Sequence, residues 1–359
     1  MNPGGAHVRL LAAALMASCV AACGTTTAPR PRPSRSVQGT PSAAQLKPVL
    51  RGLLDRGGVP PPAFLGMFAG YVVNARWKDL QPSAGQPLAA DNAIDQAIAT
   101  VRSINAFQRT ELGLKLRLFA GIHAPDWAKH LGGDPVAVSD PHSGASGTVG
   151  RFWTDAFGHA YDVLQSMLAA KYDGIPEVRE VTISRCTTVY AEPFIRNVGD
   201  QATVQALLAA GYSVQADERC QHEQVDAASV WRRTHSDLSF NPYQVIKPDG
   251  STSSDEGFTE SMMDYCRQRL GRACVLENNS LRDPPLSAYQ AMYEKMRSLG
   301  QPIAFQTAAE KRVGNLESTL SNAIGLGANS VELPGGYQAL AMSTTFSSLA
   351  HALSANPAG

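Results

Sequence analysis

The chain has 359 residues, 31 Lys and Arg against 31 Asp and Glu, a formal charge of zero and 44% hydrophobic residues. That charge balance offers no electrostatic footprint for a nucleic-acid partner. The length suits one large domain rather than a string of small ones.

The first residues carry Arg9, then the apolar run Leu10 to Met16, then small residues, which is the order of a secretory signal. The apolar run is far shorter than the roughly 20 residues that span a bilayer, so a permanent membrane helix is not expected. Val20-Ala21-Ala22-Cys23-Gly24 resembles the lipobox of bacterial lipoproteins. The resemblance implies that residues 1–22 are a signal peptide and that Cys23 is lipidated and becomes the first mature residue. It also implies a protein held to the cell membrane by its lipid, on the extracytoplasmic face. Cys19 sits in a poorer box because Met16 takes the branched-aliphatic position. An ordinary signal with an incidental Cys23 is the alternative. Residues 23–46, rich in Thr, Pro, Ser and Arg without apolar periodicity, predict an extended tether. Arg30, Arg32 and Arg35 belong to that solvated linker.

From residue 47 to 359 short β-rich runs alternate with amphipathic helices. The strand candidates are Tyr71–Trp77, Leu114–Gly121, Glu180–Cys186, Leu238–Tyr243, Cys274–Asn278, Pro302–Thr307 and Ser330–Leu333, with an eighth near Phe64–Met67. Helical spacing recurs at Ile94, Ala97, Ile98, Val101 and Ile104, and at Trp153, Phe157, Tyr161, Leu164 and Leu168. It recurs again at Tyr289, Met292, Tyr293 and Met296, and at Leu316, Leu320 and Ile324. This alternation predicts a parallel sheet with helical crossovers. A single (β/α)8 TIM-type barrel is favoured over a doubly wound sheet, because no GxGxxG follows a strand and no GxxxxGK[ST] is present. A long excursion follows the fourth strand and contains Glu192, Arg196, Cys220 and a helix through Trp231; such loops at the carboxyl end of a barrel build active sites.

Four cysteines fall in the folded part: Cys186, Cys220, Cys266 and Cys274. An even number in an exported protein reads as two disulfides. Cys266 near a helix end and Cys274 at the next strand form one plausible pair, which leaves Cys186 with Cys220. No CxxC or Cys/His spacing suggests a metal, and no HExxH helix or GxSxG elbow is present.

The stretch Trp77-Lys78-Asp79-Leu80-Gln81-Pro82 followed by Gly85 and Ile94-Asp95 resembles a motif of barrel glycoside hydrolases of the large retaining clan that includes cellulases and β-galactosidases. His123-Ala124-Pro125-Asp126-Trp127 is similar to that clan's loop after the third strand. Ala191-Glu192-Pro193-Phe194 is similar to its Asn-Glu-Pro, in which the Glu is the general acid/base. The resemblance runs in order over residues 68–194 and implies a carbohydrate ligand, no cofactor, and Glu192 as general acid/base. Two positions depart from the pattern: Ala191 replaces the sugar-contacting Asn, and Gln306 in Ile303–Thr307 stands where the clan has its nucleophilic Glu. Glycoside cleavage uses two carboxyl groups flanking the bond. Glu332 is the first candidate for the second one and Glu277 the other.

Trp77 and Trp127 at strand ends suit sugar stacking, against packing at the barrel mouth. His123, Asn241, Asn278 and Gln306 are candidate sugar contacts, each against a role in holding loops. Arg76 and Arg117 read as ion-pair partners, and Trp231 as core. Two functions follow: a polysaccharide- or oligosaccharide-cleaving lipoprotein, or a sugar-binding surface lipoprotein with the same barrel and no catalysis.

Overall fold

The computed structural model describes residues 46–339 and 343–357. The leader, Cys23 and the tether lie outside the described residues. Eight parallel strands close into a barrel: β1 Gly52–Asp55, β2 Phe68–Arg76, β3 Gly113–Phe119, β4 Val178–Thr182, β5 His235–Ser239, β6 Cys274–Leu281, β7 Ile303–Thr307 and β8 Ser330–Leu333. The ring closes where Gly52–Asp55 pairs residue by residue with Ser330–Leu333.

Helices follow the strands from β2 onward: α1 Ala93–Gln108, α2 Asp155–Tyr172, α3 Gln201–Ala209, α4 Val214–Ala227, α5 Glu256–Leu270, α6 Gln290–Leu299, α7 Leu316–Gly325 and, after β8, α8 Thr344–Ala355. α1 shows why these segments are helical. Asn92 caps it, its side chain accepting from the backbone of Ile94 and Asp95 at 2.9 and 3.3 Å, a contact worth about 1 kcal/mol. Ile94, Ala97, Ile98 and Val101 form the buried stripe. No described helix is long and apolar enough to cross a membrane.

The expected eighth strand lies elsewhere. Pro62–Met67 is a 3-10 helix, and the strand that completes the ring is Gly52–Asp55. Pro60, Pro61 and Pro62 stand at the start of that turn, and proline lacks the N–H that a sheet ladder needs. β4 and β5 also begin earlier than expected, so the segment after Thr182 and Asn241 itself belong to loops. Trp153 precedes α2 and packs edge-on against Phe152 and Tyr212. Trp231 is 1% exposed and follows the short turn after α4, its indole N–H on Gln165.

The barrel interior is charged. In β3, Leu114, Leu116 and Leu118 alternate with Lys115 and Arg117. Side chains of a strand alternate between its faces, so the two cations share one face and the leucines the other. The Lys115 ammonium lies 2.9 Å from Glu180, 2.9 Å from Asp237, 2.6 Å from Glu277 and 3.0 Å from Glu332. These carboxylates come from β4, β5, β6 and β8, and only the barrel axis is common to all four strands. Arg117 pairs with the other oxygen of Glu332.

Four buried carboxyl groups face two cations, so protons complete the balance. Burial pushes Asp237 well above the carboxylate range and the neighbouring Glu277 charge adds to this. Burial lifts Glu180 to about 7 despite the pull of Lys115. Glu332 goes the other way: burial raises it, but Arg117 and Lys115 outweigh that and hold it at about 2. The Glu180 shift has a consequence for stability. The folded chain keeps a proton that the unfolded chain sheds near 4.5, so the stability linked to this group is full below 4.5 and is lost as pH rises through about 7. Thermal melting of the wild type is therefore expected to fall between pH 5 and pH 8 (roughly), while Glu180→Gln shows a flatter profile. Parallel profiles for the two proteins would contradict this.

Candidate active site

The carboxyl ends of the strands surround a cleft of about 470 Å³. Arg56 enters it just after β1, Asn241 after β5, Asn279 at the end of β6 and Gln306 from β7. Two insertions complete the wall. One is the hairpin of Val136–Asp140 with Ala145–Val149, between β3 and α2, which contributes Asp140, His142 and Ser143. The other is the excursion after β4, which contributes Tyr190, Glu192 and Asn197.

The excursion is pinned on both sides of Glu192. Cys186 is bonded to Cys220 of α4, and the second disulfide joins Cys266 to Cys274. The Arg196 guanidinium makes two 2.6 Å contacts to Asp217, and both residues are fully buried. Tyr212 and Tyr243 donate to the same carboxylate at 2.6 and 2.9 Å. Gln221 donates to the Pro193 carbonyl at 2.8 Å. Arg196 thus belongs to Asp217 and is not the partner of Glu192. The half-buried Glu192 accepts instead from the Asn279 amide at 3.0 Å, across the cleft edge from β6.

Asp140 is the second carboxylate on the cleft wall. It terminates the first strand of its hairpin, where it accepts from Tyr190 Oη, from Ser143 Oγ at 2.8 Å and from the His142 backbone N–H at 3.1 Å. Burial works against its charge, but the donors outweigh it and hold the group below the usual aspartate range. Tyr190 is pushed up to about 12 by burial and by Asp140, with a further push from the Glu192 charge. Its phenol therefore remains a proton donor to Asp140 at neutral pH.

Of the residues singled out from the sequence, Glu192, Asn241 and Gln306 share this cleft. The others do not line it. Glu332 is 1% exposed, with one oxygen on Lys115 and the other on Arg117 below the cleft floor, and Glu277 is as deeply enclosed. Neither carboxyl is open to a substrate. Trp77 is 1% exposed, packed edge-on against Trp127, Phe157 and Tyr161 with its N–H on Gln81. It is core, with no face left for a sugar. Trp127 is half-buried, joins that cluster and donates to the Gln81 carbonyl. His123 stacks edge-on against Phe119, its imidazole kept below its ordinary pKa by burial and by Arg76, Lys78 and Lys129. Asn278 is fully buried and bonds Phe240 O, Asn241 Oδ1 and Tyr293 Oη, which makes it a brace between β5 and β6.

Arg56, Asp140, Tyr190, Asn279, Arg282 and Arg312 also line the cleft and were not foreseen. The Asp140 hairpin had a signal, Val136 and Val138 alternating before the turn residues Asp140-Pro141-His142-Ser143-Gly144. Arg56 follows a strand too short to stand out.

No family model and no curated protein sequence matches the chain. Among solved structures it is similar to the β-galactosidase of Marinomonas ef1, with 12% identity and a TM-score of 0.46, over 84% of this chain and 59% of that one. It is also similar to endo-glycoceramidase II of Rhodococcus sp., with 10% identity and a TM-score of 0.45, over 82% and 74%. A 2-naphthoyl-CoA reductase is equally similar, at 12% identity and 0.45, over 84% and 51%. The chain thus spans about three fifths of the length of the β-galactosidase. The barrel assignment rests on the closed strand order itself.

Proposed function

We propose that the protein hydrolyses a glycosidic bond in a polysaccharide or oligosaccharide, with Glu192 as general acid/base. One observation carries this reading: two carboxylates, Glu192 and Asp140, line a single open cleft at the carboxyl ends of the barrel strands. Barrel enzymes place their chemistry on that face, and glycoside cleavage needs two carboxyl groups in different protonation states.

In this reading protonated Glu192 gives its proton to the leaving oxygen as the anomeric C–O bond breaks. Asp140, kept ionised by three donors, balances the positive charge that develops at the anomeric carbon. Water then adds to that carbon and its released proton returns Glu192 to the acid form through solvent. Gln306 and Asn241 supply neutral donors and acceptors for sugar hydroxyls. Gln306 has no carboxylate, so it takes no part as nucleophile.

Incubating the soluble domain with a panel of neutral and acidic polysaccharides and counting new reducing ends tests the proposal. Cleavage of at least one member supports it. Retention of a glycan with no cleavage under any condition would leave only a sugar-binding protein. Asp140→Asn keeps the shape of the side chain but not its charge, and is expected to lower kcat by roughly 10²-fold. An unchanged kcat would remove Asp140 from the mechanism.

We further read the leader and Cys23 as marks of an exported, lipid-anchored protein. The pairing of Cys186 with Cys220 and of Cys266 with Cys274 suits an oxidising compartment. Fatty-acid labelling that is lost in Cys23→Ala is the expected result.

A further inference from the structure

The charges of the cleft are separated. Asp140 and Glu192 stand on the wall built from the β3 and β4 loops, whereas Arg56, Arg282 and Arg312 stand on the wall built from β1, β6 and β7. The two arginine-bearing loops after β6 and β7 are tied together, the Asp283 N–H donating to Val313 O and the Ala308 N–H to Leu281 O. Arg56 reaches the same region, its guanidinium donating to Thr307 O at 2.9 Å. Arg282 uses its Nε on its own neighbour, Ser280 O, at 3.1 Å. Arg312 is exposed. Among the described ion pairs, none of the three meets a carboxylate.

Three cations line one wall, and Arg56 is partly withdrawn from water, which works against its charge. The charges of Glu332, Glu192 and Asp55 offset part of the burial cost at Arg56, whereas Arg282 and Arg312 meet no carboxylate among the described ion pairs. Each guanidinium carries five N–H donors in a planar fork that matches a carboxylate, sulfate or phosphate. Arg56 and Arg282 each use one of theirs on a backbone carbonyl.

We infer that the cleft takes an anionic glycan, whose acidic sugar is held against Arg56, Arg282 and Arg312 while the bond to be cut lies toward Glu192. This rests on the reading of the cleft as a glycosidase site and names its substrate class. Uronic-acid carboxylates and sulfate or phosphate esters share the chemistry, and the arms of the experiment separate them.

Binding and cleavage are measured with an oligouronide, the same oligosaccharide after carboxyl reduction, and a sulfated neutral oligosaccharide. The wild type is expected to bind one of the acidic ligands at least about tenfold more tightly than the reduced one, a charged hydrogen bond being worth that much. The preference should shrink as salt is raised. Arg282→Gln with Arg312→Gln should weaken the acidic ligand by roughly tenfold and leave the neutral one unchanged. Equal affinity for acidic and reduced ligands, or loss of both alike in the double variant, would overturn the inference. If neutral glycans are cut as fast as acidic ones, the glycosidase reading stands and this one fails. If acidic glycans bind selectively but none is cut, this one stands and the glycosidase reading fails.

Discussion

Glu192→Gln is expected to lose between about 10² and 10⁴ in kcat while glycan binding and the melting temperature stay close to wild type. The glutamine keeps the oxygen that accepts from the Asn279 amide, so the local hydrogen bond survives. It has no proton to give to a departing alkoxide. The loop itself is held by the Cys186–Cys220 disulfide and by Arg196 on Asp217, neither of which involves the Glu192 side chain. A substrate with a leaving group that needs no protonation, such as a nitrophenyl glycoside, should lose much less rate than the natural glycan. That contrast separates proton donation from a general disturbance of the cleft. Cleavage that survives undiminished would exclude Glu192 as the acid.

Lys115→Met is expected to cost roughly 3–5 kcal/mol of folding stability, the range for removing one partner from a buried ionic cluster. The ammonium lies within 3.0 Å of Glu180, Asp237, Glu277 and Glu332, and all five side chains are enclosed. Without it only Arg117 remains to balance them. The loss should shrink as pH falls, since protonating the carboxyls removes the charges that Lys115 neutralises. Denaturant unfolding at several pH values reads both effects. A variant as stable as wild type at neutral pH would show that the cluster is balanced in another way.

How far the sequence reveals this molecule differs from element to element. α1 is plain in it because Asn92, Ile94, Ala97, Ile98 and Val101 encode cap and stripe locally. The loop bearing Glu192 is likewise readable, since Ala191-Glu192-Pro193-Phe194 follows a strand and opens an overlong connection. β1 is not: four residues ahead of the Gly57-Gly58 turn make a strand only because β8 and β2 flank it on either side. Glu332 illustrates the harder failure. Its position at a strand end suggested an exposed carboxylate, but its partners are Lys115 and Arg117, more than 200 positions away along the chain. Whether a carboxyl at a strand end opens to the cleft or points down the barrel axis depends on the stagger of closure, which no local pattern encodes. Trp77 fails for a similar reason, because Trp127, Phe157 and Tyr161 enclose its ring from two other segments.

Asp140 shows the converse. Its hairpin is readable, but its importance is not, because that arises only when Tyr190 from the far side of β4 delivers a hydroxyl to it. The second carboxylate of the proposed mechanism is therefore a product of tertiary closure.

The most direct test of the claim that this cleft hydrolyses glycosidic bonds is a proton NMR time course of a bound oligosaccharide with the wild-type protein. Growing anomeric signals from a new reducing end are expected, with none from a carbon–carbon double bond in the product. An unchanged spectrum, or the vinylic signals of an elimination product, would contradict it.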